Sequence, residues 1–305
     1  MFSDTMNIFL IPVLVLLIGW RSVSADDIDS SEYGKGGGTK KTNCKCGWTN
    51  NPVKRIVGGE EAGINEFPWI VGIKESDDIG PGCGGVILSK RIILTASHCT
   101  EAMAKSKMQV LVGEHDIFDD KETPVTQVIN VKKYVEHPKY DVKGNLENDI
   151  ALLYLDQDIK MSDRVGPICL PTAKNNYVRQ QVKVMGWGKL GTNKQPSPKL
   201  RKVDLDVIPL PICAQVYQGI SQKRGEVNQI CTYTESQDSC QGDSGGPVVW
   251  RDPELNLYTS VGIISFGGDE CGEAPGVNTD VFFHKEWILK TMKELDPSQG
   301  VCEKV

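Results

Sequence analysis

From Ile56 to the C-terminus, short apolar runs alternate with glycine, proline and aspartate. Gly85-Val86-Ile87-Leu88, Ile92-Ile93-Leu94, Val110-Leu111-Val112, Asp149-Ile150-Ala151-Leu152-Leu153-Tyr154-Leu155 and Val261-Gly262-Ile263-Ile264 all have strand length. Runs of this kind, bounded by turn formers, read as buried strands. Val203, Leu205 and Val207 alternate with Asp204 and Asp206, the period of two that marks a half-buried strand. A long helical period is met only near the end, where Trp287, Ile288, Met292 and Leu295 fall on one face of the segment from His284 to Leu295. Many short strands, one terminal helix and no repeat of solenoid length predict an all-β barrel or sandwich architecture.

The first 55 residues have a different texture. Ile8 to Trp20 is an apolar run of thirteen interrupted by Pro12 and Gly19, shorter than the ~20 residues a membrane-spanning helix needs. Val23-Ser24-Ala25 then offers a cleavage site, so residues 1–25 are expected to be a signal peptide and the protein to be secreted. The start carries Asp4 and no basic residue, and initiation at Met6 would remove that acid. Residues 26–55 are polar, with Gly36-Gly37-Gly38 and Lys40-Lys41, and are expected to form a flexible segment without a core of its own.

Composition narrows the class. The 305 residues are 39% hydrophobic and 24% charged, enough apolar material for a soluble globular core. A net charge of -6 excludes a phosphate backbone as the natural partner. Ten cysteines in a secreted chain point to disulfides. Zinc is disfavoured, because no pair has zinc-finger spacing and Cys44-Lys45-Cys46 is too tight for a knuckle.

Chemistry enters with Asp238 to Pro247, DSCQGDSGGP, where Ser244 sits among glycines with Asp243 beside it and Asp238 six residues upstream. A serine hydroxyl becomes a nucleophile when a general base takes its proton and an acid orients that base. Four histidines could serve: His98, His115, His137 and His284. His98 follows an apolar strand and precedes Cys99, while Asp149 opens another apolar strand. Each of these alone is equally well read as structural, although a buried Asp149 needs a partner.

In order, Arg55-Ile56-Val57-Gly58-Gly59, Thr95-Ala96-Ser97-His98-Cys99, Asp149-Ile150-Ala151-Leu152, Gly186-Trp187-Gly188 and Gly242-Asp243-Ser244-Gly245-Gly246-Pro247 resemble the chymotrypsin/trypsin family of serine proteases, across residues 56–305. The resemblance implies two packed six-stranded antiparallel β-barrels with a C-terminal helix, and a serine endopeptidase made as a zymogen. Ser244 is then the nucleophile, His98 the general base and acid, and Asp149 the group that orients the imidazole. The N–H groups of Gly242 and Ser244 form the oxyanion hole. Cleavage after Arg55 frees the amine of Ile56 to bury against Asp243. Asp238 lies at the floor of the primary specificity pocket and selects Arg or Lys, between walls that include Gly267 and Gly276. Asn278 stands where such proteases usually carry tyrosine, and it could either add hydrogen bonding or loosen the pocket. Phe266 replaces a more usual tryptophan beside the substrate backbone.

The resemblance also implies the bridges Cys83–Cys99, Cys213–Cys231 and Cys240–Cys271. Cys169 resembles the cysteine that tethers a propeptide, so it is expected to bond to Cys44 or Cys46, with Cys302 taking the other. A further family bridge is absent from both ends, where Val182 and Trp250 stand. No cofactor is expected. Glu114, Asp116, Asp119, Asp120 and Glu122 could offer oxygen to calcium, but their spacing and Thr126 favour a solvated acidic loop. The expected partners are protein substrates, an activating trypsin-like protease and protein inhibitors, with neither nucleic acid nor membrane, and the chain is expected to be a monomer. The prelude Cys44-Lys45-Cys46-Gly47-Trp48 resembles that of secreted arthropod proteases of venom and haemolymph. The rival reading is an inactive homologue acting as a binding or cofactor protein.

Overall fold

The computed structural model describes residues 37–50, 59–119, 121–141, 145–220, 227–235 and 237–305. The expected signal peptide and the Arg55-Ile56 junction lie outside the described residues. A short strand β1 (Glu60–Glu61) precedes six strands that close on themselves: β2 (Ile70–Glu75), β3 (Cys83–Ile87), β4 (Ile92–Thr95), β5 (Met108–Val112), β6 (Gln127–Glu136) and β7 (Ala151–Leu155). Their spatial order is β2-β3-β4-β7-β6-β5, and β5 pairs back with β2. After β8 (Cys169–Leu170) come β9 (Gln181–Gly186), β10 (Arg201–Ile208), β11 (Gln229–Tyr233), β12 (Pro247–Asp252), β13 (Leu257–Phe266) and β14 (Gly276–Asp280). These last six also close, in the order β12-β9-β10-β11-β14-β13, because β12 pairs with β13 as well as β9. Closure removes the sheet edges that would otherwise invite association.

The apolar runs fill the interiors. Ile73, Ile87, Leu94, Leu152 and Leu153 are fully buried in the first barrel. Val184, Leu205, Val207 and Val248 are buried in the second. At ~25 cal/mol per Å² of apolar surface removed from water, this burial is the main term holding the fold. Val182 and Trp250, at the two positions of the missing bridge, belong to that same apolar cluster, with Trp250 edge-on to Tyr177 at 5.3 Å.

Three helices are present among the described residues, where the periodicity predicted one. The terminal helix α3 (Lys285–Leu295) buries Ile288 and Met292 as expected. The others, α1 (Ser97–Ala102) and α2 (Leu210–Val216), are six and seven residues long, too short for a 3.6-residue period to register.

All ten cysteines pair, as Cys44–Cys302, Cys46–Cys169, Cys83–Cys99, Cys213–Cys231 and Cys240–Cys271. The first two decide the open choice among Cys44, Cys46, Cys169 and Cys302. They also correct the expectation for the N-terminal segment, since residues 37–50 are docked on the barrels. Cys302 in β15 (Cys302–Glu303) lies beside Cys169 in parallel register. Asn43 N–H donates to Glu303 O at 3.0 Å, and Tyr258 N–H to Gly47 O at 2.8 Å. The segment lends one large apolar anchor, Trp48, whose indole N–H donates to Asp163 O at 2.8 Å. A sparse apolar count concealed this, because two cysteines and one tryptophan do the work of a core.

Trp48 needs a bare backbone beneath it: a Cβ on Gly166 would stand 1.9 Å from its ring. Gly166→Ala should therefore displace the indole and destabilise the protein by about 1–3 kcal/mol. Hydrogen exchange should quicken in residues 44–50 with both bridges intact; unchanged protection there would refute the anchor.

Candidate active site

Strand β4 ends at Thr95 and α1 begins at Ser97, so His98 leaves the first barrel on the first turn of a helix. The Cys83–Cys99 bridge fixes that turn to β3. Ser97 Oγ–H donates to Ile150 O at 2.7 Å, drawing the start of β7 alongside. Asp149 is thereby brought beneath the imidazole, fully buried. His98 Nδ1 lies 2.7 Å from Asp149 Oδ2, and His98 N–H donates to Asp149 Oδ1 at 2.9 Å. A carboxylate only accepts, so this contact sets Nδ1 as the protonated nitrogen and leaves a lone pair on Nε2.

Two further residues hold the acid from the second barrel. Ser265 Oγ–H donates to Asp149 Oδ2 at 2.6 Å, and Thr279 Oγ1–H donates to Asp149 O at 2.8 Å. Neither was identified from the sequence. They lie 116 and 130 positions away, and a lone Ser or Thr in an apolar strand gives no signal. The flanking Asn148 adopts φ +55° and is held through its Oδ1, 3.1 Å from Nε2 of the buried His284. His137 and His284 pack edge to face at 5.2 Å, and His284 Nδ1 lies 2.8 Å from Asp280 O. His115 is buried under Trp187, accepting its indole N–H at the backbone oxygen at 2.8 Å.

Ser244 reaches the same place from the second barrel. Gly84 N–H, next to Cys83, donates to Ser244 O at 2.7 Å. The Cys99 sulfur lies 3.6 Å from His98 Nε2 and 3.5 Å from Ser244 O. Within the turn, Asp243 N–H donates to Cys240 O, Gly245 N–H to Ile264 O and Gly246 N–H to Asp243 O, at 3.0, 2.8 and 3.0 Å. The amides of Gly242 and Ser244 have no acceptor among the described residues. Gly242 sits at φ +102°, and a Cβ there would stand 3.0 Å from Gly188 Cα. Only glycine meets both demands at this position.

The two acids of this stretch face one cavity of about 390 Å³, which Gly59, Gly188 and Lys189 also line. Asp238 accepts N–H groups from Ser239 at 2.8 Å and Gly272 at 3.2 Å. Burial pushes its carboxyl up to about 6, against these bonds. A Cβ on Gly276 would stand 3.7 Å from Asp238 Oδ1, and one on Gly267 would stand 3.9 Å from Gly276 Cα. The two glycines thus lie side by side where β13 pairs with β14, with Gly276 against the acid, and neither lines the cavity of about 390 Å³. Asn278 lies one layer behind: its buried amide donates to Thr232 Oγ1 at 3.0 Å and Ile230 O at 3.3 Å. Asp243 accepts from Gly188 N–H at 2.8 Å and Cys240 N–H at 2.9 Å. It has no cation against it among the described residues, and burial pushes it up to about 6. In the acidic loop, Glu114 and Glu122 accept the amides of His115 and Asp116, both at 2.9 Å.

Comparison with known proteins shows the family of the chain. The sequence model of the trypsin family matches residues 56–288. The chain is 42% identical over 253 residues to venom serine protease 34 of Apis mellifera, covering 81% of this chain and 60% of that one. It is 38% identical to a venom serine protease of Polistes dominula, covering 82% and 89%. Among solved structures, neuropsin, a serine protease of mouse brain, superposes with a TM-score of 0.65 at 28% identity, covering 77% of this chain and 98% of that one. The chain belongs to the trypsin family of serine proteases, hydrolases that cut peptide bonds within proteins.

Proposed function

We propose that this is a secreted zymogen which, once cut after Arg55, cleaves proteins after Arg or Lys through an acyl-enzyme. The observation that carries the catalytic reading is the buried Asp149–His98 contact at 2.7 Å. With its proton on Nδ1, His98 offers the Nε2 lone pair to the Ser244 hydroxyl. Ser244 Oγ attacks the scissile carbonyl as its proton passes to Nε2. Asp149 stabilises the imidazolium that results. The free amides of Gly242 and Ser244 receive the oxyanion, worth ~3–4 kcal/mol of transition-state stabilisation for each donor. The imidazolium then protonates the leaving amine, and a water repeats the sequence to release the acid.

Activation rests on chain reach. Gly59 is held by Arg201, whose Nη2 donates to Gly59 O at 2.7 Å, and it lines the cavity that contains Asp243. A new terminus at Ile56 would have three residues, about 10 Å of extended chain, to carry its amine from Gly59 to the carboxylate. The doubly bridged residues 37–50 would stay attached after the cut. An activating protease of trypsin-like specificity, protein inhibitors and a monomeric state complete the reading, with no cofactor.

Specificity would follow from a buried anion beside a pair of adjacent glycines. A guanidinium or ammonium entering the pocket would pair with Asp238 and return its pKa toward the ordinary range. Asp238→Ser should lower kcat/KM on Arg and Lys substrates by about 10²–10³-fold, as expected for truncating one partner of a buried charge pair. Profiling a peptide library with the activated enzyme checks this. An unchanged Arg/Lys preference would refute the assignment of Asp238, and turnover lost equally on every residue type would point to a collapsed pocket.

A further inference from the structure

The chain is acidic overall, at net charge -6, yet one face of the first barrel concentrates lysines. Strands normally alternate side chains between faces, so consecutive lysines would point in opposite directions. Strand β6 carries Lys132-Lys133, and its pairing with β7 shifts register between Val131 and Lys133. This bulge leaves both lysines exposed on the outside of the barrel. Strand β5 pairs with β6 so that Gln109 lies opposite Asn130. Continued two positions, that register brings Lys107 level with Lys132.

The three lysines line one open groove of about 750 Å³ together with Ser76, Ser106, Gln109 and Asn130. None of the three forms an ion pair among the described residues. The nearby carboxylates already accept from neutral donors, Glu75 from Ser106 Oγ at 2.6 Å and Asp156 from Asn130 Nδ2 at 3.1 Å. Lys132 lies 5.9 Å from the Tyr154 ring centroid, which restricts where its ammonium can go.

We infer that this groove is a binding site for a linear sulfated polysaccharide, apart from the catalytic cleft. Protein ligands anchor on aromatic or aliphatic knobs seated in apolar recesses. The groove offers hydroxyls, amides and ammonium groups, with Met108 buried beneath and Val131 and Tyr134 half-covered. A row of cations flanked by hydrogen-bonding side chains matches repeated sulfates along an extended chain. Binding there would hold the protease on a glycan surface while leaving its cleft free.

A heparin hexasaccharide is the probe, titrated by calorimetry into the full-length protein at low and physiological salt. Binding should weaken with salt, and Lys107→Gln/Lys132→Gln/Lys133→Gln should weaken it by at least about tenfold. The melting temperature of that variant, and its turnover of a small Arg ester after activation, should match the wild type. Lys174→Gln/Lys290→Gln/Lys293→Gln, which removes the same charge from exposed sites elsewhere, should bind like the wild type. Equal loss in both triple variants would overturn the site, as would full binding by the first. Capture of a poly-glutamate peptide in place of the hexasaccharide would overturn the assignment of a glycan.

Discussion

Ser244→Ala in the activated enzyme is expected to lower kcat on an Arg anilide by about 10⁶-fold with little change in KM. The size follows from removing the only group positioned to form the acyl bond while leaving the pocket that binds the substrate side chain. Asp149→Asn should cost about 10⁴-fold for a different reason. An amide at that position can donate to Nδ1 and so favours the tautomer with its proton on Nε2, where the lone pair is needed. Ser265→Ala removes one of three hydrogen bonds to the same carboxylate oxygens and should cost only about tenfold. The graded order, serine above aspartate above its supporting hydroxyl, separates a triad from a structural cluster. A wild-type protein cleaved after Arg55 and yet as slow as Ser244→Ala would instead favour the binding-protein reading.

Much of this site was legible because its chemistry is carried in short contiguous motifs. His98, Asp149 and Ser244 each sit where a strand ends or begins, and an apolar run next to a reactive residue is visible in one sequence. Both barrels were implied by the family resemblance, while the apolar runs alone left barrel and sandwich open. What the sequence concealed was long-range. Ser265 and Thr279 matter only because β13 and β14 pass behind Asp149. Lys202 lies on the same face of β10 as Asp204 and Asp206 yet is buried, because β1 and Glu66 cover it there and its ammonium meets Glu66 at 2.6 Å and Glu60 at 3.1 Å. That covered lysine cannot be told from a solvated one until its partner Glu66, 136 positions away, is known. The docking of residues 37–50 was hidden likewise, since covalent bridges substitute for the apolar content by which order is usually recognised.

Asp243→Asn should leave cleavage at Arg55 unaffected and the product nearly inert, at about 10⁻² to 10⁻⁴ of wild-type turnover. That range corresponds to the ~3–5 kcal/mol lost when one partner of a buried pair is removed. The pH dependence of stability identifies the cause. In the chain before cleavage, burial raises Asp243 from 3.8 to about 6, so between those values the folded form retains a proton that the unfolded form has released. Stability from this group is then fully present at low pH and is lost as pH rises through about 4 to 6. Asp238, raised to about 6 by its own burial, acts in the same direction. A cation delivered by the new terminus favours the ionised carboxylate and reverses the sign for Asp243: its contribution is then present at neutral pH and lost on acidification. Before cleavage, the wild type should lose stability relative to Asp243→Asn as the pH is raised from about 4.5 to 7.5; after cleavage that loss should vanish, because a carboxylate paired with the new amine is ionised in folded and unfolded protein alike above its ordinary value of 3.8. Melting temperatures of both proteins, cut and uncut, at the two pH values check this directly. If the same loss persists after cleavage, the new amino terminus does not reach Asp243 and the switch lies elsewhere.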